Sequence, residues 1–299
     1  MSERYNSYPY IALLGLLVVF IAVAIYLWSN VRDSRDELSS LEIEKISKSV
    51  AAVHCGYFDQ LAFGSGTYIR ISTGDGETKD IVLTNGHVAR SEELGTLNEG
   101  QGRNCSIRFK DGLTADGWYS GKSRIETDSL DMAALVLGDG FKNMEPLSDN
   151  GKPFPTCNSV STGQEVLIFS YPAGGATQSF PDQIQFQGSD GFNLKAYASA
   201  IEEYNDSRSL VVTEGIISGS QNDNLITTAS IDSGSSGGLA VSIESGEPCI
   251  VGVPTWLSVG EFQSIGLIQP MSRILTADID WSSCQELCKL IFQAACFSV

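Results

Sequence analysis

The chain has 299 residues, with 36 Asp and Glu against 19 Lys and Arg, for a formal net charge of −17. A surface that acidic repels phosphate backbones, which argues against nucleic acid as a partner. The length admits one large domain or two of ordinary size, and the 30 glycines, set among short apolar runs bounded by Gly, Asn, Asp and Ser, favour an all-β barrel or sandwich over a helical protein.

From Tyr5 to Val31 there is no charged residue, and Ile11 to Trp28 is almost wholly apolar. An apolar run of about 18–20 residues spans a bilayer as a helix. Tyr8, Tyr10, Tyr26 and Trp28 stand at its ends, where amphipathic rings prefer the interface. A cleavable signal peptide is the alternative, but its apolar region is usually about 7–15 residues and ends at a small-residue cleavage site. Here Ala22-Val23-Ala24 lies inside the run and Ile25-Tyr26-Leu27-Trp28 follows. Residues 1–30 are therefore expected to be a cytoplasmic tip and a single retained transmembrane helix, through which the protein meets the membrane. Arg4 on one side, against Arg32 and Arg35 on the other, leans toward a cytoplasmic domain, but those two arginines are interleaved with Asp33, Asp36 and Glu37.

Residues 31–49 are polar and charged, with Leu38, Leu41, Ile43 and Ile46 interspersed, and read as a helical stalk. The globular part is expected from Val50 to Leu275. Thr67 to Ser72 alternates in polarity, Gly74-Asp75-Gly76 supplies turn chemistry and Asp80 to Thr84 returns, which predicts a β-hairpin. That hairpin delivers His87, in Leu83-Thr84-Asn85-Gly86-His87-Val88, just past the end of a buried strand. His54 falls before the core of this half and reads as structural. Asp131 directly precedes the apolar strand from Met132, with Asp128 as a second candidate acid.

The run Asp149 to Thr156 is rich in turn formers and breakers and divides the domain, about 50–150 and about 160–275. Strand-like runs follow at Glu165–Ser170, Leu210–Thr213, Gly215–Ser218, Ile250–Val253 and Ile265–Ile268. Between Gly215–Ser218 and Ile250–Val253 lies Ile231-Asp232-Ser233-Gly234-Ser235-Ser236-Gly237-Gly238, a serine on a tight glycine turn. Ser233 and Ser235 are weaker candidates than Ser236, which alone is followed by Gly-Gly. Ser283 and Glu286 form a capping-box pattern for a short C-terminal helix within 276–299. The seven cysteines are Cys55, Cys105, Cys157, Cys249, Cys284, Cys288 and Cys296, and their pairing is open. In an oxidising compartment several would pair and at least one would be left over. A zinc site at Cys284 and Cys288 lacks the partners that finger spacing requires, so no metal and no other cofactor is expected.

Acyl transfer at neutral pH needs an activated nucleophile, a base held in one tautomer and donors for a developing oxyanion. Ser236 as nucleophile, His87 as general base and acid, and Asp131 as the orienting acid meet those needs, with the Gly234 and Ser236 amides as the oxyanion hole. The motifs around these three residues resemble the histidine, aspartate and nucleophile motifs of the trypsin-like, HtrA-type serine proteases. The resemblance runs over roughly residues 50–275. Gly64–Thr67, Val166–Gly175, Gly215–Ser218 and Ile265–Pro270 are similar to further family segments. It implies two six-stranded antiparallel β-barrels of the chymotrypsin type, preceded by the transmembrane helix and followed by the C-terminal helix. Leu239 and Ser235 depart from the family's usual proline and Asn or Asp. HtrA proteins carry a PDZ domain after the protease, and the 24 residues beyond Leu275 are too few for one.

In relatives that prefer basic side chains an acid stands six positions before the nucleophile; here that position is Ser230. A pocket near Ala229, Ser230, Thr255, Ile265, Gly266, Leu267 and Ile268 suggests small or medium apolar side chains. The expected function is a membrane-anchored serine endopeptidase acting on extracytoplasmic proteins and peptides, with the cysteines and the family resemblance setting the domain outside. A homo-oligomer is compatible with the chain. The alternative is a catalytically silent pseudoprotease that binds peptides, against which the presence of all three triad residues argues.

Overall fold

The computed structural model describes residues 17–26, 38–55, 62–72, 78–89, 102–120, 124–127, 130–137, 144–176, 178–188, 191–244, 246–255 and 266–276. Residues 17–26 are helical with exposed side chains, and among the described residues no helix is long and apolar enough to cross a membrane. Much of the anchor expected from Ile11 to Trp28 lies outside the described residues. So do Asp128, Ile265, Cys284, Cys288, Cys296 and the expected C-terminal helix.

The segment read as a stalk is in part something else. A helix, α1 (Ser40–Ser49), opens on a capping box: the Ser39 hydroxyl accepts from the Glu42 amide, and the Ser39 amide donates to Glu42 Oε2 at 2.7 Å. Ile43 and Ile46 are spaced to share one face, and that face packs on the domain core, with Ile46 fully buried. The compact unit accordingly begins at Leu38 rather than at Val50.

The first half of the domain contributes β1 (Val50–Cys55), β2 (Ala62–Ser72), β3 (Thr78–Thr84), the one-turn helix α2 (Gly86–Ala89), β4 (Gly102–Phe109), β5 (Thr114–Ser120), β6 (Arg124–Thr127) and β7 (Leu130–Leu137). They form a seven-stranded sheet in the order β3-β2-β1-β4-β5-β7-β6, and β3 pairs in addition with β7. The predicted hairpin is the antiparallel β2–β3 pair, in register from Thr67 opposite Leu83 to Ser72 opposite Thr78. A short pair, β8 (Ser148–Asp149) and β9 (Lys152–Pro153), marks the divide between halves.

The second half holds β10 (Glu165–Ser170), a two-stranded ribbon of β11 (Gln187–Gly188) and β12 (Gly191–Phe192), α3 (Leu194–Ser207), β13 (Val211–Gln221), β14 (Asn224–Thr227), β15 (Leu239–Glu244), β16 (Glu247–Thr255), β17 (Gly266–Pro270) and α4 (Met271–Thr276). Six of these close a barrel in the order β10-β13-β14-β17-β16-β15. The protein is thus mostly β, but the all-β expectation misses α3. Its buried Tyr197, Ile201 and Tyr204 recur at helical spacing, and Asn193 caps its start by accepting from the Ala196 amide.

The period of two along each strand explains how the halves join. In the first sheet Val50, Ala52, Ile69, Leu83, Leu130 and Met132 face a core shared with Phe169, Tyr171, Leu239 and Val253 of the barrel half. Their strand neighbours Ala51, Val53, Tyr68, Val82, Ala133 and Leu135 face the opposite way into a core of the first half alone. The barrel interior is filled by Val166, Ile168, Ile217, Ala240 and Val251. Each large apolar side chain so buried contributes about 1.5–3 kcal/mol.

Two disulfides are formed among the described residues. Cys55 and Cys105 face each other across β1 and β4 with Cα atoms 4.2 Å apart, and Cys157 joins the approach to β10 to Cys249 on β16.

His54 lies on β1 opposite Phe63 and stacks on its ring, with centroids 5.8 Å apart. Burial, reinforced by the Arg208 charge, pushes its pKa down from 6.5 to about 4. Between those values the unfolded chain binds more protons than the folded one, so stability falls as pH falls from about 6.5 toward 4. The loss is expected to reach on the order of 3 kcal/mol by pH 4 and to level off below it. Urea unfolding at neutral and acid pH measures it. A His54→Gln chain that loses as much as the wild type would show that the acid sensitivity arises elsewhere.

Candidate active site

Strand β3 ends at Thr84, and the chain turns at once into α2, which carries His87 at the domain surface. The turn is held from several sides. Thr84 Oγ1 donates to the Ser65 carbonyl at 2.7 Å, and the Asn85 carbonyl accepts from the Val88 and Ala89 amides. The Asn85 carboxamide reaches outward, donating to the Asp131 carbonyl at 2.8 Å and to Thr255 Oγ1 at 2.9 Å.

Asp131, at the start of β7, grips His87 twice. Its Oδ1 accepts from the His87 amide at 2.9 Å, and its Oδ2 lies 2.5 Å from His87 Nδ1. An ionised carboxylate only accepts hydrogen bonds, so the proton sits on Nδ1 and the Nε2 lone pair is left as the basic site. The glycine before the histidine now has a physical reason: a Cβ on Gly86 would collide with Asp131 Oδ1.

The backbone of Asp131 is itself clamped from the other half of the domain. Gln269 on β17 accepts from its amide at 2.7 Å and donates to its carbonyl at 3.1 Å. The same Gln269 carboxamide donates to Thr255 Oγ1 at 2.6 Å. Thr255, expected in the substrate pocket, therefore spends its hydroxyl on the network beneath Asp131. Of the other pocket candidates, Gly266 and Leu267 are buried on β17 and Ser230 is exposed.

Ser236 lies on the loop entering β15 and is buried. Its carbonyl accepts from the Ser65 amide at 2.7 Å, which ties the loop to β2. Gly64 shows how close the elements come: a Cβ there would lie against the Val88 side chain of α2 and 2.9 Å from the Ser236 carbonyl oxygen. Gly234 (φ +86) and Gly237 (φ +91) take the left-handed conformations that turn the loop back on itself. Ser235 is used structurally, its hydroxyl accepting from the Asp232 amide at 3.2 Å and from the Ser170 hydroxyl at 3.1 Å. Ser233 is exposed.

The peptide groups bearing the Gly234 and Ser236 amides are both fixed through their carbonyls. Ser233 O accepts from the Ala173 amide at 2.7 Å, and Ser235 O accepts from the Gly238 amide at 3.1 Å. In a trans peptide the N–H points opposite to the C=O, so each bond aims an amide on the loop.

The profile of the trypsin-like peptidase domain matches residues 64–253, more than half of the chain. The chain belongs to the trypsin-like peptidases. The family is one of serine endopeptidases with a chymotrypsin-like fold, and its matched span covers β2, α2, β7, the closed barrel's first strands and the Ser236 loop. Among solved structures, two of the HtrA-type protease AlgW with a tripeptide are 18% identical. Each aligns over 78% of this chain, and over 60% and 62% of their own, with TM-scores of 0.49 and 0.48. A catalytically active tobacco etch virus protease complexed with product is 12% identical over 80% of this chain and 82% of its own, with a TM-score of 0.46. This chain thus spans less than two thirds of the length of the AlgW structures. No curated protein sequence matches it.

Of the residues expected from the sequence, His87 and Asp131 are in direct contact. Ser236 lies on a loop bonded to the strand next to that of Thr84. The sequence reading missed Asn85 and Gln269, although both lie inside the segments Leu83–Val88 and Ile265–Pro270.

Proposed function

We propose that the protein is a membrane-anchored, HtrA-type serine endopeptidase of extracytoplasmic proteins and peptides. The observation that carries the reading is the double grip of Asp131 on the His87 amide and Nδ1, which leaves Nε2 basic. Ser236 Oγ attacks the scissile carbonyl as His87 Nε2 takes its proton. The Gly234 and Ser236 amides receive the oxyanion, and the leaving amine takes the proton from His87. Water then hydrolyses the acyl-enzyme by the same base. The first sheet is the family's other barrel, with β3–β7 as its closing pair. The apolar run from Ile11 to Trp28 supports the anchor, and the two disulfides support an oxidising compartment for the domain. A pocket bounded by Ser230, Gly266 and Leu267 carries no charge, which favours apolar over basic side chains.

The test is a fluorophosphonate probe on the full chain in detergent, beside a Ser236→Ala control. Labelling of the wild type that vanishes in the control is the expected result. A folded wild type that stays unlabelled, or a control that labels equally, would overturn the reading.

A further inference from the structure

Arg208 is the largest of the side chains that are almost wholly buried, at 2% exposure, and among the described residues no carboxylate pairs with it. Burial lowers its pKa only to about 10, so it is a cation at neutral pH. A buried unpaired charge is costly to keep, and here its compensation is a set of backbone carbonyls. Nη2 donates to Gly64 O at 2.8 Å, to Gly234 O at 3.2 Å and to Tyr171 O; Nη1 donates to Asn205 Oδ1 at 3.3 Å and reaches Val53 O at 3.5 Å. The guanidinium also stands over the Phe63 ring, 5.9 Å from its centroid.

These carbonyls come from four segments: strand β1, strand β2, the exit of β10, and the nucleophile loop. The last matters most. Gly234 O is held by Arg208 and by the Ser65 hydroxyl, the latter at 2.8 Å, while Ser233 O on the other side of the Gly234 Cα is held by Ala173. Gly234 at φ +86 has no side chain to resist rotation. The Gly234 N–H belongs to the Ser233–Gly234 peptide, held by Ala173, while Arg208 and Ser65 hold the next peptide through Gly234 O, so the two anchors together fix φ and ψ of Gly234.

We propose that Arg208, delivered by the C-terminal end of α3, is a positioning residue for the oxyanion hole: with Ser65 it holds the peptide that follows Gly234, and so the Gly234 Cα from which the amide projects, and it places a buried positive charge beside it. The assignment rests on the functional reading above and deepens it. Its effect should fall on the transition state, because the oxyanion exists only there.

The experiment compares Arg208→Met and Arg208→Lys with Arg108→Met on a peptide amide substrate. Arg108 is the control because it binds the Asn205 and Arg208 carbonyls, docking α3 without touching Gly234. Turnover is normalised to the folded fraction, and the inhibition constant of a peptide aldehyde, whose hemiacetal oxygen occupies the hole, is measured in parallel. Arg208→Met is expected to lower kcat by about 10²-fold and weaken the aldehyde by a similar factor, with KM changed less than about threefold. Arg208→Lys, which keeps the charge but loses the fork, should fall between, and Arg108→Met should leave the kcat and aldehyde ratios near one. Should Arg208→Met fail to fold, the lysine variant decides: wild-type kcat and aldehyde affinity in that chain overturn the proposal. So does any folded Arg208 variant whose kcat falls while aldehyde binding stays intact. A wild type that the probe does not label at Ser236 overturns the functional reading and this assignment together, whereas a labelled wild type with unchanged variants overturns the assignment alone.

Discussion

Replacing Asp131 with asparagine is expected to lower kcat by about 10⁴-fold while the protein remains folded. The carboxylate presents two acceptor oxygens to two donors of one residue, the His87 amide and Nδ1. A carboxamide has one acceptor and one donor group. If its oxygen keeps the backbone amide, its NH₂ faces Nδ1, which must then accept. The proton moves to Nε2, and the lone pair that should take the Ser236 proton disappears. If the carboxamide flips, it serves the ring but sets NH₂ against the His87 N–H. The first arrangement removes the base from its working tautomer, the second keeps it only against a donor–donor clash, and neither creates a cavity. The backbone clamps from Gln269 and Asn85 use only the amide and carbonyl of residue 131, so they survive the change. Steady-state kinetics with a circular-dichroism melt separates chemistry from folding. A loss of less than about tenfold in kcat would mean that Asp131 does not orient the base.

The parts of this site that could be read from the sequence are those where one local pattern carries both structure and chemistry. Alternation from Thr67 to Ser72 and from Asp80 to Thr84, with glycines between, sufficed for the β2–β3 hairpin and hence for the location of His87. Asp131 stood at the head of an apolar run, and that run is β7. What escaped depends on contacts between distant segments. Cys55 opposite Cys105 is a matter of strand register across 50 residues, and spacing alone does not disclose register. Arg208 resembles any surface arginine until β1, β2, Tyr171 and Gly234 close around it. The helix α3 is a different failure. Tyr197, Ile201 and Tyr204 stand at helical spacing behind an Asn cap, but three apolar residues among polar ones over a single 14-residue stretch are a weak periodic signal beside the strand runs on either side. The stalk reading gave the helix but not its docking: Ile43 and Ile46 look sparse among charges, yet two apolar side chains on one helical face are enough to pack a short helix on the domain core.

The second large effect is expected from Gly237→Ala, which should lower the melting temperature by roughly 10 °C and abolish turnover in whatever remains folded. Two penalties coincide at this position. At φ +91 an alanine pays the left-handed cost of about 1–2 kcal/mol. Its Cβ would also collide with the Ser65 carbonyl oxygen and with Thr84 Oγ1, and would stand 3.0 Å from the Ser65 carbonyl carbon. Neither neighbour yields cheaply. Ser65 is a β2 residue whose amide donates to Ser236 O and whose carbonyl accepts from Thr84 Oγ1, so moving it breaks the bonds that set the Ser236 loop against the strand leading to His87. Gly112 supplies the control, with φ +82 and nothing within 4 Å of an added Cβ. Gly112→Ala therefore isolates the dihedral cost and should shift the melt by only about 2–6 °C with kcat unchanged. Equal shifts in the two variants would mean that backbone conformation alone dictates glycine at 237. A larger shift at 237, joined to lost turnover, would locate the requirement in the close approach of the Ser236 loop to β2 and β3.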